Sequence, residues 1–247
     1  MQKNNSEFKR IAHRGASGEA PENTLAAIRI AVEKYRVDMV EIDIRLSLDG
    51  TPVVIHDETL ERTTNGVGLV RNYRLEELEK FDAGFQFDPE GKGVFPYRGK
   101  GLTIPTLQEV LTQFPETPFL IEIKGNRIEI VKRLVEIIHR IPNRERLIVG
   151  SFNGLVMWEF RRRRPRALRS TFSRNEVIFA YLIFQLGFKK FHPPAHHVSI
   201  PPRELGFALD DPRWIHFLHR QKVRVYYWTI DEPSEMETLI KRGADGI

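Results

Sequence analysis

The chain has 247 residues, 41% hydrophobic and 29% charged, which fits a folded globular protein with room for one large α/β domain or two small ones. Thirty-eight Lys and Arg against 33 Asp and Glu leave a formal charge of +5, enough to attract anionic small molecules but too mild to imply nucleic acid. The lack of cysteine excludes disulfides and thiolate chemistry, and leaves the compartment open.

Residues 1–10 are polar and lead straight into a strand expected over 10–13. They contain no apolar h-region, so a secretory signal is not expected. The longest apolar run, 177–184, is too short to span a bilayer, and a cytoplasmic location is the default expectation. Pro21, Glu22, Asn23 and Thr24 supply a turn and a helix cap before 25–32, which has helical spacing. A second strand is expected over 38–46. Side chains alternate along a strand, so Glu41 and Asp43 share one face while Ile42 and Ile44 take the other. Leu48, Asp49, Gly50 and Thr51 then form a hairpin signal. The return run 52–56 is antiparallel, and it brings His56 opposite Asp43 to within one or two positions.

Residues 57–103 have no strong period and many turn residues; only 75–81 looks helical. A long irregular segment within a compact domain is usually functional, and this one reads as a small insertion over a barrel mouth. Beyond it, helices are expected at 105–114, 126–140, 153–164, 174–187, 203–220 and 232–242. Strands are expected at 118–124, 146–152, 167–172, 197–200 and 223–230. This alternation predicts a parallel sheet with helices outside it. Asp245, Gly246 and Ile247 look like the start of an eighth strand, which would complete an α/β fold of the (β/α)₈ TIM-barrel type. Residues 1–56 and 104–247 then form the barrel. The sequence stops before an eighth helix, and we read this end as clipped, because an open flank beside the first strand would expose apolar surface.

Glu122 and Lys124 repeat the alternation of the second strand against Ile121 and Ile123. Bare carboxylates aimed into a core cost several kcal/mol, on the order of 2–7 even for a neutral polar group, unless a cation meets them. In a barrel the active site lies at the C-terminal ends of the strands, and His13, Asp43, Glu122 and Lys124 fall at or near such ends. Glu41, Asp43 and Glu122 together make an oxygen-rich site that suits one Mg²⁺ or Ca²⁺ better than zinc. A divalent ion with Arg14 and Lys124 outweighs the three carboxylates by one charge, which a singly charged phosphodiester would neutralise.

The chain resembles the glycerophosphodiester phosphodiesterase family at His13-Arg14-Gly15-Ala16 with Pro21-Glu22-Asn23-Thr24, at Glu41-Ile42-Asp43-Ile44-Arg45 with Asp49-Gly50, and at Val53-Val54-Ile55-His56-Asp57. The likeness continues through Leu60, Arg62-Thr63-Thr64, Gly66 and Gly68, then Ile104-Pro105-Thr106-Leu107 and Ile121-Glu122-Ile123-Lys124. It ends with Ser151-Phe152, Trp228-Thr229 and Gly243-Ala244-Asp245-Gly246. These pieces occur in family order over nearly the whole chain and thin out between about 174 and 222. The resemblance implies a (β/α)₈ barrel with an insertion after the second strand. It implies a divalent metal held by Glu41, Asp43 and Glu122, an acid–base pair in His13 and His56, and Arg14 and Lys124 near the phosphate. Glu22 is implied in a supporting or metal-proximal role.

The implied reaction is metal-dependent hydrolysis of a small-molecule glycerophosphodiester to glycerol 3-phosphate and an alcohol. One histidine activates the nucleophile and the other protonates the leaving oxygen. The nucleophile is water, or the substrate's own glycerol hydroxyl acting through a cyclic phosphate. The alternatives are lysophospholipase D-like hydrolysis on the same scaffold, with contact to a lysophospholipid or a membrane surface, and a non-enzymatic basic protein binding anionic membrane or nucleic acid.

His192, His196 and His197 invite a metal reading but lie between a helix and a strand, at the face opposite the site. The arginines at 161–164 with Arg166 read as a helix C-terminus, where cations suit the dipole, stopped by Pro165. The apolar run 177–184 reads as a well-buried barrel helix, with an apolar wall or membrane-facing patch as the alternative. Trp228 is expected to face the barrel interior near the substrate.

Overall fold

The computed structural model describes residues 8–247; residues 1–7, most of the polar segment read above as lacking a signal, lie outside them. In chain order the elements are β1 (Ile11–His13), α1 (Leu25–Arg29) continued by a π-turn at Ile30–Lys34, β2 (Met39–Leu46), β3 (Pro52–Val54), α2 (Leu75–Leu78), α3 (Leu107–Gln113), β4 (Phe119–Ile123), α4 (Glu129–Arg140), β5 (Leu147–Gly150) and α5 (Gly154–Arg163). They continue with β6 (Arg169–Ser170), α6 (Arg174–Gln185), β7 (His197–Ile200), β8 (Arg203–Glu204), β9 (Phe207–Ala208), α7 (Pro212–Arg220), β10 (Arg224–Tyr227) and α8 (Pro233–Arg242).

Strands β1, β2, β4, β5 and β6 pair in parallel in that order, and β7 pairs with β10. Single parallel bridges close the ring. Thr171 joins His197, and Gly246 joins both Tyr226 and Lys9. Tyr227 N donates to Gly246 O at 3.1 Å, and Ile11 N donates to Ile247 O at 2.7 Å. Segment 245–247 is therefore the eighth stave of a TIM barrel.

The strand alternation explains where the core sits. Val40, Ile42, Ile44 and Leu46 of β2 point outward and pack with Leu107, Leu111, Leu134 and Ile138 of the surrounding helices. The inward series is Met39, Glu41 and Asp43 on β2 and Leu120 and Glu122 on β4, continued by Lys124 one residue past its end. Met39 and Leu120 join Ile11, Ile148 and Tyr226 in a small apolar plug at the bottom of the barrel. The charged residues stand above that plug.

The hairpin holds: β3 runs antiparallel to β2 with Ile44 opposite Val54 and Leu46 opposite Pro52. Residues beyond it pack against Val53 of β3 in a separate small core with Ile55, Leu60, Val70, Leu78, Ala83 and Ile104.

Four expectations need correction. The helix expected over 203–220 begins only at Pro212. Its first part is instead the β8–β9 hairpin, turned at Leu205 (φ 50°) and Gly206 (φ 81°), the positive-φ pair that a tight two-residue hairpin requires. The helix expected over 25–32 changes from α to π at Ile30, and that over 75–81 stops at Leu78. Helix α6 is not buried all round. Val177, Ala180 and Tyr181 are buried, while Phe179 and Leu182 are exposed, as are Leu186 and Phe188 just past the helix. A barrel helix has one face toward the sheet, so apolar residues on its outer face stay outside whatever their hydropathy. The arginine run does end a helix: Arg161 pairs with Glu176 at 2.5 Å, and Arg162 and Arg163 pair with Glu159 of their own helix. Among the described residues, no helix is long and apolar enough to cross a membrane.

Candidate active site

Register builds the site. In the β1–β2 pair His13 stands beside Glu41, and in the β2–β4 pair Asp43 stands beside Glu122. One carboxylate oxygen from each of Glu41, Asp43 and Glu122 lies within 4.8 Å of the other two. Two oxygens sharing one Ca²⁺ at 2.3–2.6 Å are at most about 5 Å apart, so the three acids are within reach of a single ion. Glu41 Oε1, Asp43 Oδ1 and Glu122 Oε1 are buried and make no hydrogen bond. Lys124 Nζ lies 3.1 Å from Asp43 Oδ1 and 3.0 Å from Glu122 Oε1, close enough to attract both but outside hydrogen-bonding directions. Glu41 Oε1 has no such neighbour among the described ion pairs. The donor set therefore fits a hard divalent cation: two buried acids and one half-buried acid, all oxygen, with one oxygen unmatched.

The other oxygens are fixed. Arg14 N donates to Glu41 Oε2 at 3.1 Å. Asn23 grips Asp43 twice: Nδ2 donates to Oδ2 at 2.9 Å, and Oδ1 accepts from Asp43 N at 3.1 Å. Arg14 Nε lies 3.1 Å from Asp43 Oδ2. Arg14 and Asn23 both have positive φ, 59° and 58°. Gly15 between them has φ 83° and sits so close to α1 that an added Cβ would lie 2.7 Å from Ala27 C. The loop after β1 is therefore pressed onto the helix, and only glycine permits that approach.

Burial and neighbouring charge set the protonation states. Burial, with Asp43 and Glu122 nearby, pushes the Glu41 carboxyl well above its ordinary range. Burial likewise raises Glu122, against the pull of Lys124. Burial would raise Asp43 too, but Lys124 and Arg14 together outweigh it and hold the carboxyl low. Burial and the Arg14 charge lower His13 to about 4. Burial also lowers His56, despite its contact with Asp57. Both imidazoles are therefore neutral near pH 7, and His13 Nε2 lies 3.9 Å from Glu41 Oε2.

His13, Arg14, Glu41, His56, Glu122, Lys124 and Trp228 line one cavity of about 900 Å³. Asp43 is fully buried and does not line it. Trp228 meets Phe152 edge-on with ring centroids 5.7 Å apart, so the expected inward tryptophan stands in the wall. Glu22 lies outside the carboxylate cluster and binds two guanidiniums, Arg14 at 2.9 Å and Arg62 at 2.7 Å. His56 sits one position past the point opposite Asp43, since Ile55 N donates to Asp43 O. The residues missed from sequence are Asn23, Asp57, Arg62 and Phe152. All four belonged to matched motifs, but none stands at an inward position of a strand.

Residues 13–247 match the model of the Glycerophosphoryl diester phosphodiesterase family. A glycerophosphodiester phosphodiesterase of Caldanaerobacter subterraneus subsp. tengcongensis is 34% identical over 243 residues, spanning 96% of this chain and 91% of its own. Human lysophospholipase D GDPD1 is 30% identical over 265 residues, spanning 97% of this chain and 82% of its own. Among solved structures, a phosphodiesterase of Oleispira antarctica in complex with the product sn-glycerol-3-phosphate is similar with a TM-score of 0.76 at 29% identity, covering 97% of this chain and 91% of that one.

Proposed function

The chain belongs to the glycerophosphoryl diester phosphodiesterase family, and from that premise we propose a metal-dependent hydrolysis of glycerophosphodiesters to glycerol 3-phosphate and an alcohol, with His13 and His56 as its acid–base pair. The observation that carries this reading is the convergence of two buried acids and the half-buried Glu122, with Glu41 offering an unmatched oxygen, beside a cavity lined by both histidines. Glu41, Asp43 and Glu122 would hold one Mg²⁺ or Ca²⁺. When bound, that ion supplies positive charge to the phosphoryl oxygens.

The chain's own groups do the rest. Arg14 and Lys124 line the cavity and draw the phosphate in. Lys124 stays charged, because the attraction of Glu122 and Asp43 outweighs burial and raises it. The two imidazoles, neutral when free, divide the proton work: one takes the proton of the attacking hydroxyl, and the other, having picked up a proton from solvent, gives it to the leaving alkoxide. Glu22 supports the site by holding Arg14. Residues 57–103 act as an insertion over the mouth, supported by their separate small core and by the Arg62–Glu22 contact. The working location is the cytoplasm.

Lysophospholipid hydrolysis is the second reading. It draws support from the name of the human relative.

Phosphorus NMR on glycerophosphocholine and lysophosphatidylcholine, with Mg²⁺, Ca²⁺ or EDTA, tests these readings. Glycerol 3-phosphate from the first substrate, lost in EDTA, is expected. His13→Ala and His56→Ala should each lower turnover by roughly 10²-fold or more with an unchanged circular-dichroism spectrum. Near-normal turnover in either variant would remove the acid–base assignment.

A further inference from the structure

His56 lies two residues beyond β3, and the chain continues from it through Asp57 into a loop secured by Arg62. The imidazole Nδ1 of His56 is 2.6 Å from Asp57 Oδ1. Arg62 pairs with the other Asp57 oxygen through Nε, and its Nη1 and Nη2 donate to both oxygens of Glu22 at 2.8 and 2.7 Å. Glu22 in turn accepts from Arg14 Nη1 at 2.9 Å. One string of alternating charge thus runs from Arg14 through Glu22, Arg62 and Asp57 to His56. Its two ends line the cavity and its middle three residues do not.

We propose that Asp57 and Arg62 are positioning residues for His56: Asp57 accepts the Nδ1 proton so that Nε2 is the nitrogen offered to the substrate, and Arg62 locks Asp57 while tying the two histidine-bearing loops together. The inference rests on the reading of His56 as an acid–base group. Its logic is that of hydrogen-bond inventory. Arg62 and His56 overcome the effect of burial and hold Asp57 ionised, with its carboxyl at about 2. An ionised carboxylate has no proton to give, so Nδ1 must carry one, and the lone pair of the neutral ring then sits on Nε2. When the ring gains a second proton, the same carboxylate faces the added charge. The string is half exposed, with the Arg62 side chain 47% accessible. Ion pairs in such surroundings contribute little to folding, so the main effect of this string is to fix geometry.

The test is made on the full chain with ¹⁵N-labelled histidine, using long-range ¹⁵N–¹H correlation to read the His56 tautomer alongside steady-state hydrolysis of glycerophosphocholine. In the wild type, Nδ1 of His56 is expected to carry the proton. Asp57→Asn should lose that signature and lower kcat by roughly 10²-fold, with KM changed by less than about threefold. Asp57→Glu should recover part of the rate. Arg62→Lys, which keeps Asp57 and one positive charge, should fall between, and it provides the readout if Asp57→Asn fails to fold. An unchanged tautomer in Asp57→Asn would overturn the proposal, as would wild-type kcat, or a fall in kcat that leaves the ring signature untouched. If His56→Ala proves active, the acid–base reading fails, yet the tautomer measurement still decides the role of Asp57.

Discussion

Glu41 Oε1 is buried and meets no donor among the described residues, and the character of the site follows from that atom. A carboxyl in this position either keeps its proton or binds a cation. Burial with two neighbouring acids pushes it toward the proton. An ion must therefore displace that proton, so apparent affinity for Ca²⁺ should climb as pH rises through the raised carboxyl pKa and flatten above it. Activity measured against free Ca²⁺ at several pH values checks this, and a pH-independent affinity would contradict it. Asn23 holds the neighbouring acid, Asp43, in place. Asn23→Ala should weaken the metal requirement curve by roughly 10–100-fold, because Asp43 loses both its side-chain donor and its backbone acceptor. The acids themselves were legible in the sequence because a period of two placed charge at inward positions between outward isoleucines. Asn23, Asp57 and Arg62 were not, because loop partners are set by local turns that carry no period. The one clue for Asn23 is its place between Glu22 and the capping Thr24, at a positive φ that asparagine tolerates.

Register between elements turns those residues into a site. A slip of one residue between β2 and β4 would send Glu41 and Asp43 outward into the helix layer and bring Ile42 and Ile44 in. The hairpin was readable from Asp49-Gly50, and it fixes β3 opposite β2 to the residue. The β8–β9 hairpin was not, since its turn uses Leu205, a residue with no turn signature of its own. The outer face of α6 was misjudged for a related reason: composition reports how apolar a helix is, and only packing reports which side is covered. The loop after β1 offers the sharpest test at this scale. Gly15→Ala forces a methyl against the α1 backbone at positive φ. It should destabilise the fold by about 2–4 kcal/mol, summing left-handed strain and overpacking. It should also lower activity, because Arg14 sits on that loop and His13 immediately precedes it at the end of β1. Chemical denaturation measures the first effect, and a midpoint equal to wild type would show that the contact relaxes without cost.

The whole molecule is a ring, and the segment 245–247 closes it between β10 and β1. The (β/α)₈ architecture was legible from alternation alone, though the closing contacts join residues far apart in the chain and needed the structure. His197 reports on the folded state as a unit. It stands at the start of β7, nearly inaccessible, and it is a core residue rather than part of a histidine metal site. Burial, with Arg169 and Arg224 nearby, lowers it to about 3, far below its ordinary value of 6.5. Between those two values the unfolded chain binds a proton that the folded chain refuses. Stability from this group is thus complete above pH 6.5 and falls as pH drops toward 3, by up to about 1.4 kcal/mol per unit. His197→Phe should flatten the acid limb of the melting profile between pH 7 and 4.5; an unchanged slope would assign that limb to other groups.

The central claim is that acids from β2 and β4 hold a single divalent ion. Isothermal titration of EDTA-stripped protein with Ca²⁺ or Mg²⁺ measures this directly. We expect one ion per chain, with binding abolished by Asp43→Asn and by Glu41→Gln while both variants keep the wild-type circular-dichroism spectrum. Saturable binding that survives both substitutions, or no binding by the wild type, would contradict the account.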